Sequence, residues 1–138
     1  MAEKGRFLDA GILIDAYIKK HEDLDESQRV NLNFHAGQMY AFANDTETAI
    51  ERFDKSTYAE EPPDLPLRWN AYVRATIAFL NKDTKRLKEC REEIAAGPTF
   101  QGEKANLDVV DRLIDNFDKP YSEAYGGRRN KQLRPPAV

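Results

Sequence analysis

The chain carries few side chains able to do chemistry, and their spacing decides what each is worth. Its two histidines, His21 and His35, fall on different expected elements, and neither has a companion at metal-ligand spacing. His21 follows Lys19-Lys20, cations that suit the negative end of a helix, so a place in the closing turn is its simplest reading. His35 stands beside Ala36-Gly37 in a second helical stretch, where a packed or surface imidazole is favoured over a proton shuttle. Cys90 is the single cysteine. It excludes an internal disulfide framework and a multi-cysteine zinc site, and its place on an apolar stripe reads as a buried, inert thiol rather than a nucleophile. The acidic pairs Glu22-Asp23 and Glu92-Glu93 are sequence neighbours, and neighbouring side chains on a helix diverge, so they read as solvated surface. No phosphate-cradling glycine loop, nucleophile elbow, H-E-x-x-H pair or calcium loop is present. The expectation is a protein that is not an enzyme, with no catalytic residues, no metal ligands and no cofactor. An enzyme subunit whose catalytic groups lie on another chain is the distant alternative.

A length of 138 residues suits one domain with a real core. Hydrophobic residues at 41% and charged residues at 33% fit a globular protein with a well-solvated surface. The formal charge of −3 argues against a general affinity for nucleic acid. That charge is uneven, because Arg128, Arg129, Lys131 and Arg134 close the chain with no acid among them. The expected division is a single helical domain over 1–125 and a basic, disordered tail over 126–138, which has too little apolar content to fold alone. Nucleic acid, an acidic partner or an anionic membrane surface would be drawn to that tail alone. No apolar run approaches the ~18–20 residues of a membrane span. Asp9 and Asp15 interrupt the apolar stretch behind Lys4 and Arg6, so it does not read as a signal-peptide core. A cytoplasmic protein is expected.

The elements that position these residues are helices. From Gly5 to Lys20, Phe7, Ala10, Gly11, Ile14, Tyr17 and Ile18 recur at helical spacing, and Leu8 and Ile12 widen that face. Asp25 or Asp23 caps a second helix over Glu26–Ala43, whose buried faces carry Val30, Phe34, Gly37, Tyr40 and Ala41. Asn44-Asp45 turns the chain into a third helix over Thr46–Thr57, with Ala49, Ile50 and Phe53 inward. The stretch E-E-P-P-D-L-P breaks the pattern. Asp64 is then expected to cap a fourth helix with Pro66 in its first turn. That helix has a heavy stripe of Trp69, Tyr72, Val73, Thr76, Ile77 and Leu80 and a small stripe of Ala71, Ala75 and Ala78, so it should be sandwiched between neighbours. A fifth helix over Thr84–Ala96 is anchored by Leu87, Cys90 and Ile94 and ends at Gly97-Pro98. A sixth covers Ala105–Phe117, and Tyr121–Tyr125 adds one more helical turn. No strand is expected, and the fold class is all-α with about six helices.

The layout repeats. Ala41-Phe42-x-Asn44 recurs 37 residues later as Ala78-Phe79-x-Asn81, and Asp45-Thr46 recurs at 38 as Asp83-Thr84. Within the first unit, Gly37, Tyr40, Ala49 and Phe53 stand at the spacing of a tetratricopeptide repeat (TPR), which this stretch resembles. Pro62 lies one residue past that family's usual proline, and Asn33 occupies its early tryptophan position. The second unit matches the layout but not the pattern, since Arg74, Arg86 and Arg91 fall where Gly37, Ala49 and Phe53 would map. The phrases R-W-N-A-Y-V-R-A-T-I-A-F-L and D-K-P-Y-S-E-A-Y also resemble segments of small bacterial proteins of this layout, which implies no activity.

The resemblance implies stacked antiparallel helical hairpins in a right-handed superhelix, with the first helix of each hairpin lining a concave groove. Carried over residue by residue, the groove positions are Asn31, Phe34, Gln38, Ala41 and Phe42, with Ala71 and Ala75 as second-hairpin counterparts. The competing reading makes Phe34 and Phe42 core, covered by the first or fourth helix. The function implied is a non-catalytic interaction or scaffold module that holds a protein or peptide partner, with self-association open. The alternative is a small-ligand or regulatory binding protein using a cavity between helices two and four.

Overall fold

The computed structural model describes residues 2–126, with side chains from residue 5 onward. Beyond Gly126, the basic tail expected from the sequence lies outside the described residues. The described chain is all-α. Its helices are α1 (Ala2–Lys20), α2 (Glu26–Phe42), α3 (Thr46–Asp54), α4 (Trp69–Leu80), α5 (Thr84–Ala96), α6 (Leu107–Asp115) and the short α7 (Tyr121–Tyr125). Among the described residues there is no strand, only an isolated bridge between Phe100 and Glu103. The chain divides into two compact units, the first ending at Leu65 and the second beginning at Pro66.

In the first unit, α1 and α3 both pack on α2. Asp25 opens α2 through a capping box: its carboxylate accepts from the Gln28 amide at 2.8 Å, and the Gln28 side chain accepts from the Asp25 amide at 2.9 Å. The helix closes by a Schellman turn, with Asn44 N–H bonded to the Ala41 carbonyl and Asp45 N–H to that of Tyr40. Asn44 takes the left-handed conformation this turn needs (φ 63°). Asp45 then caps α3 by accepting from the Thr48 amide. Gly37 sits where the backbone of α2 meets Phe53 of α3, and a Cβ there would lie 2.7 Å from the ring. Phe53 and Ala49 are fully buried, and Phe34 backs the Phe53 ring at 5.1 Å.

In the second unit, α4 packs on α5 and α6, α5 also meets α6, and α7 lies on α6. The two apolar stripes of α4 thus both find neighbours. Its turn into α5 repeats the first unit's geometry: Lys82 N–H bonds to the Phe79 carbonyl, Asp83 N–H to that of Ala78, and Asp83 caps α5 through the Arg86 amide. Lys82 holds the left-handed position (φ 59°). Its ammonium donates to the Phe117 carbonyl at 2.9 Å and lies over the Phe79 and Phe117 rings, which offsets the strain. Several expected boundaries move. α3 stops at Asp54, three residues early, where Ser56 takes over the Phe53 carbonyl through its hydroxyl at 2.6 Å. α4 begins at Trp69, with Arg68 as a cap that makes no side-chain bond, so Asp64 and Pro66 stand in the preceding turn rather than opening the helix. α6 is shorter at both ends than expected because Asn106 takes a left-handed conformation and Asn116 closes it.

Candidate docking face

The first unit holds α1 firmly along one side. Gly11 admits the Tyr40 ring so closely that a Cβ would meet it at 3.0 Å, and the Phe7 ring meets Phe42 at 5.1 Å. One turn beyond Gly11 on the same side of α1 sits Asp15. The Tyr40 hydroxyl donates to its Oδ2 at 2.5 Å, while Arg52 donates from Nε to Oδ1 at 2.9 Å and from a terminal nitrogen to Oδ2 at 3.0 Å. One carboxylate therefore ties α1 to α2 and α3. Partial burial alone would raise the Asp15 carboxyl, but the Arg52 guanidinium and the Tyr40 hydroxyl outweigh it and hold it below its ordinary value. Burial, then the adjacent carboxylate, push the Tyr40 phenol up to about 12. An ionised, doubly engaged carboxylate facing a phenol that stays protonated is a structural clamp; neither group is poised to exchange a proton near neutral pH.

The opposite side of α1 is apolar and open. Leu8 is 38% exposed, Ile12 52%, Leu13 70% and Tyr17 47%. Leu13 and Tyr17, one turn apart, join Ile14, Leu24 and Leu32 and the amides of Gln28 and Asn31 around a cleft of about 560 Å³. Single exposed hydrophobics are ordinary, but here they lie together on one face of a packed helix, which makes this face the candidate contact surface. Burying a side chain such as Leu13 is worth about 1.5–3 kcal/mol, which this arrangement leaves available. A second recess of about 490 Å³ opens where Asp15 and Arg52 meet Lys19, Arg29, Asn33 and Lys55. Its cations are largely committed: Arg52 to Asp15 and Glu51, and Arg29 to the Glu22 carbonyl at 3.0 Å. It is the solvent edge of the clamp.

The positions carried over as a groove fall elsewhere. Phe34, Gln38 and Ala41 are buried in the first unit, Phe42 is half-buried against Phe7, and Ala71 and Ala75 are buried in the second unit. Asn31 alone is exposed, and it lines the α1–α2 cleft. Tyr17, Leu8 and Ile12, expected on the inner face of α1, point outward instead, because Gly11 and Asp15 set the contact line of the helix. His21 closes α1 as its position suggested, stacking on Tyr17 at 3.9 Å while its Nδ1–H donates to the Tyr17 carbonyl at 2.8 Å. His35 is exposed beside Phe34.

The described residues of the second unit carry ion pairs. Arg91 donates to the Asp111 carboxylate at 2.8 Å, and Arg112 bridges Asp108 and the Tyr125 carbonyl, both at 2.9 Å. Cys90 is fully buried, and that burial pushes its thiol up, away from the reactive thiolate. Among the described residues, no group of three or more His, Cys, Asp or Glu side chains is placed to hold a metal ion, and no helix is long and apolar enough to cross a membrane.

No protein-family model, curated protein or solved structure matches the chain. The outward stripe of α1 escaped the sequence reading although its signal was present. Leu8, Ile12, Leu13, Ala16 and Tyr17 give α1 a second apolar face, the same two-faced pattern that marked α4 as a helix with neighbours on both sides.

Proposed function

We propose that the chain is a non-catalytic interaction module of TPR-like layout whose first unit docks a helix or helical peptide along the outer face of α1 and the α1–α2 cleft. The observation that carries this reading is the exposure of Leu13, Ile12 and Tyr17 on a helix whose other side is locked by Asp15, Tyr40 and Arg52. A rigid helix presenting apolar side chains at i, i+4, i+5 and i+9 (Leu8, Ile12, Leu13 and Tyr17) suits helix-in-groove recognition. The TPR-like part of the reading is supported by the packing of Gly37 against Phe53, the burial of Ala49 and Tyr40 in the same unit, and the matching turns at Asn44 and Lys82. The groove differs from the family's concave one, since Phe34, Gln38, Ala41, Ala71 and Ala75, which would line that one, are buried. A photo-crosslinking amino acid at position 13, introduced in the native host, tests the reading. It should yield a discrete adduct that is lost when Ile12 and Tyr17 are changed to Ser. No adduct at position 13, or an equal one from a crosslinker at exposed position 88, refutes it.

A further inference from the structure

We propose that the helix docked on α1 is α1 of a second copy of this chain, packed antiparallel through Ile12, Leu13, Ala16 and Tyr17 and closed at both ends by ion pairs between Asp9 of one copy and Lys20 of the other. The proposal rests on α1 being a docking face and names its occupant. On α1, residues 9, 13, 16 and 20 follow the 4-3-4 spacing of a helix-pairing seam, flanked by Ile12 and Tyr17. All six side chains are exposed. The seam runs along the side opposite Phe7, Gly11, Ile14 and Ile18, the line on which α1 meets its own unit.

A two-fold axis between residues 14 and 15 brings this surface against itself. It sets Leu13 against Ala16 of the second copy, with Ile12 beside its counterpart Ile12 on one flank and Tyr17 beside Tyr17 on the other, so that large side chains meet a small one at the centre and the helices can approach to about 8–10 Å. The same axis sets Asp9 opposite Lys20, twice, at ends about 16 Å apart by helical rise. Neither Asp9 nor Lys20 forms an ion pair among the described residues. Charge also selects the direction. A parallel pair in register would place Asp9 on Asp9 and Lys20 on Lys20, whereas the antiparallel pair places each on its opposite. A single helix pair lies at the small end of stable interfaces, so association should be reversible and concentration-dependent.

Sedimentation equilibrium of the full chain, from about 1 to about 500 μM, spans the range in which such an interface dissociates. The parent should pass from monomer to dimer. Asp9→Lys and Lys20→Asp, each alone, should weaken self-association roughly tenfold, because two opposite-charge pairs become like-charge pairs. An equimolar mixture of these two variants should recover dimer, since the mixed pair restores attraction at both ends. Circular dichroism melts identical to the parent's confirm that the variants fold. A parent that stays monomeric, or single variants that associate as tightly as the parent, overturns the second-copy proposal. If the monomeric parent still gives a position-13 adduct with another protein in the host, the docking face stands and only its occupant is wrong. If that adduct is missing too, both fail.

Discussion

Gly37 carries the closest helix approach in the first unit, and enlarging it measures how much that approach matters. An ideal Cβ at position 37 would stand 2.7, 2.8 and 3.0 Å from three carbons of the Phe53 ring, where carbon atoms are comfortable at about 3.5–4.0 Å. The ring cannot retreat easily, because it is fully buried and backed by Phe34. Gly37→Ala gains roughly 0.5–1 kcal/mol of helix propensity and loses about 1–3 kcal/mol to overpacking, for a net loss near 1 kcal/mol. Gly37→Leu adds three further heavy atoms to the same contact and should lose about 3 kcal/mol. For a domain of 60–100 residues that corresponds to a fall in Tm on the order of 10–20 °C. Gly5 serves as the internal control. It lies in α1 with nothing within 4 Å of a Cβ, so Gly5→Ala should raise stability by about 0.5–1 kcal/mol. Urea and thermal unfolding followed by circular dichroism separate the outcomes. A Gly37→Leu protein that melts with the parent would show that α2 and α3 do not meet at this residue, and the packing account of the first unit would be wrong.

The Asp15 clamp makes a pH prediction with two limbs. Asp15 titrates below its ordinary 3.8 in the folded chain, so its contribution is present above that value and is lost as the medium becomes more acidic than the folded-state pKa. Tyr40 is raised from 10.0 to about 12; its contribution is full below 10 and is lost as pH climbs from 10 toward 12. Tyr40→Phe should remove the Tyr40 part of the alkaline loss, and Asp15→Asn should weaken both limbs; unchanged pH–stability curves would count against the clamp. Asn44→Gly relieves the left-handed strain of the first turn and should raise stability by about 0.5–1 kcal/mol, whereas Lys82→Gly should gain less, because it also gives up the contacts to Phe117; equal gains would show that those contacts contribute nothing. In the second unit, Arg91→Ala should cost about 1–2 kcal/mol, and a double-mutant cycle with Asp111→Ala should return a coupling that salt reduces only partly; zero coupling would mark the pair as ornamental.

The caps at Asp25 and Asp45 were legible because a short acceptor side chain before an apolar-periodic run has one efficient use, satisfying the amides of a helix start. The small-residue crossing at Gly37 was legible for a similar reason: a glycine on an apolar stripe, with a phenylalanine at hairpin distance, leaves little choice of neighbour. The start of α4 was not. Asp64 and Pro66 are good opening residues, but the chain uses them in the preceding turn and begins the helix at Trp69, after Arg68, which makes no side-chain cap. The exposed apolar face of α1 was the least legible part. Ile12 and Tyr17 carry the same pattern signal whether they face their own core or a partner, since periodicity reports that a face is apolar and not what covers it. Only the contact line set by Gly11 against Tyr40, and by Asp15 against Arg52, turns the helix so that those residues face outward. Phe34 and Gln38 went astray in the converse way: a pattern of groove positions was carried onto a helix whose corresponding side is interior.

Hydroxyl-radical footprinting of the chain in concentrated native extract, set against the dilute purified protein, reads the docking face residue by residue. Ile12, Leu13 and Tyr17 should lose most of their reactivity in the extract, while Phe100, as exposed as Ile12 at 52% but in the second unit, keeps its own. Undiminished labelling of all three α1 residues, or equal protection of Phe100, would contradict α1 as the surface on which this protein meets its partner.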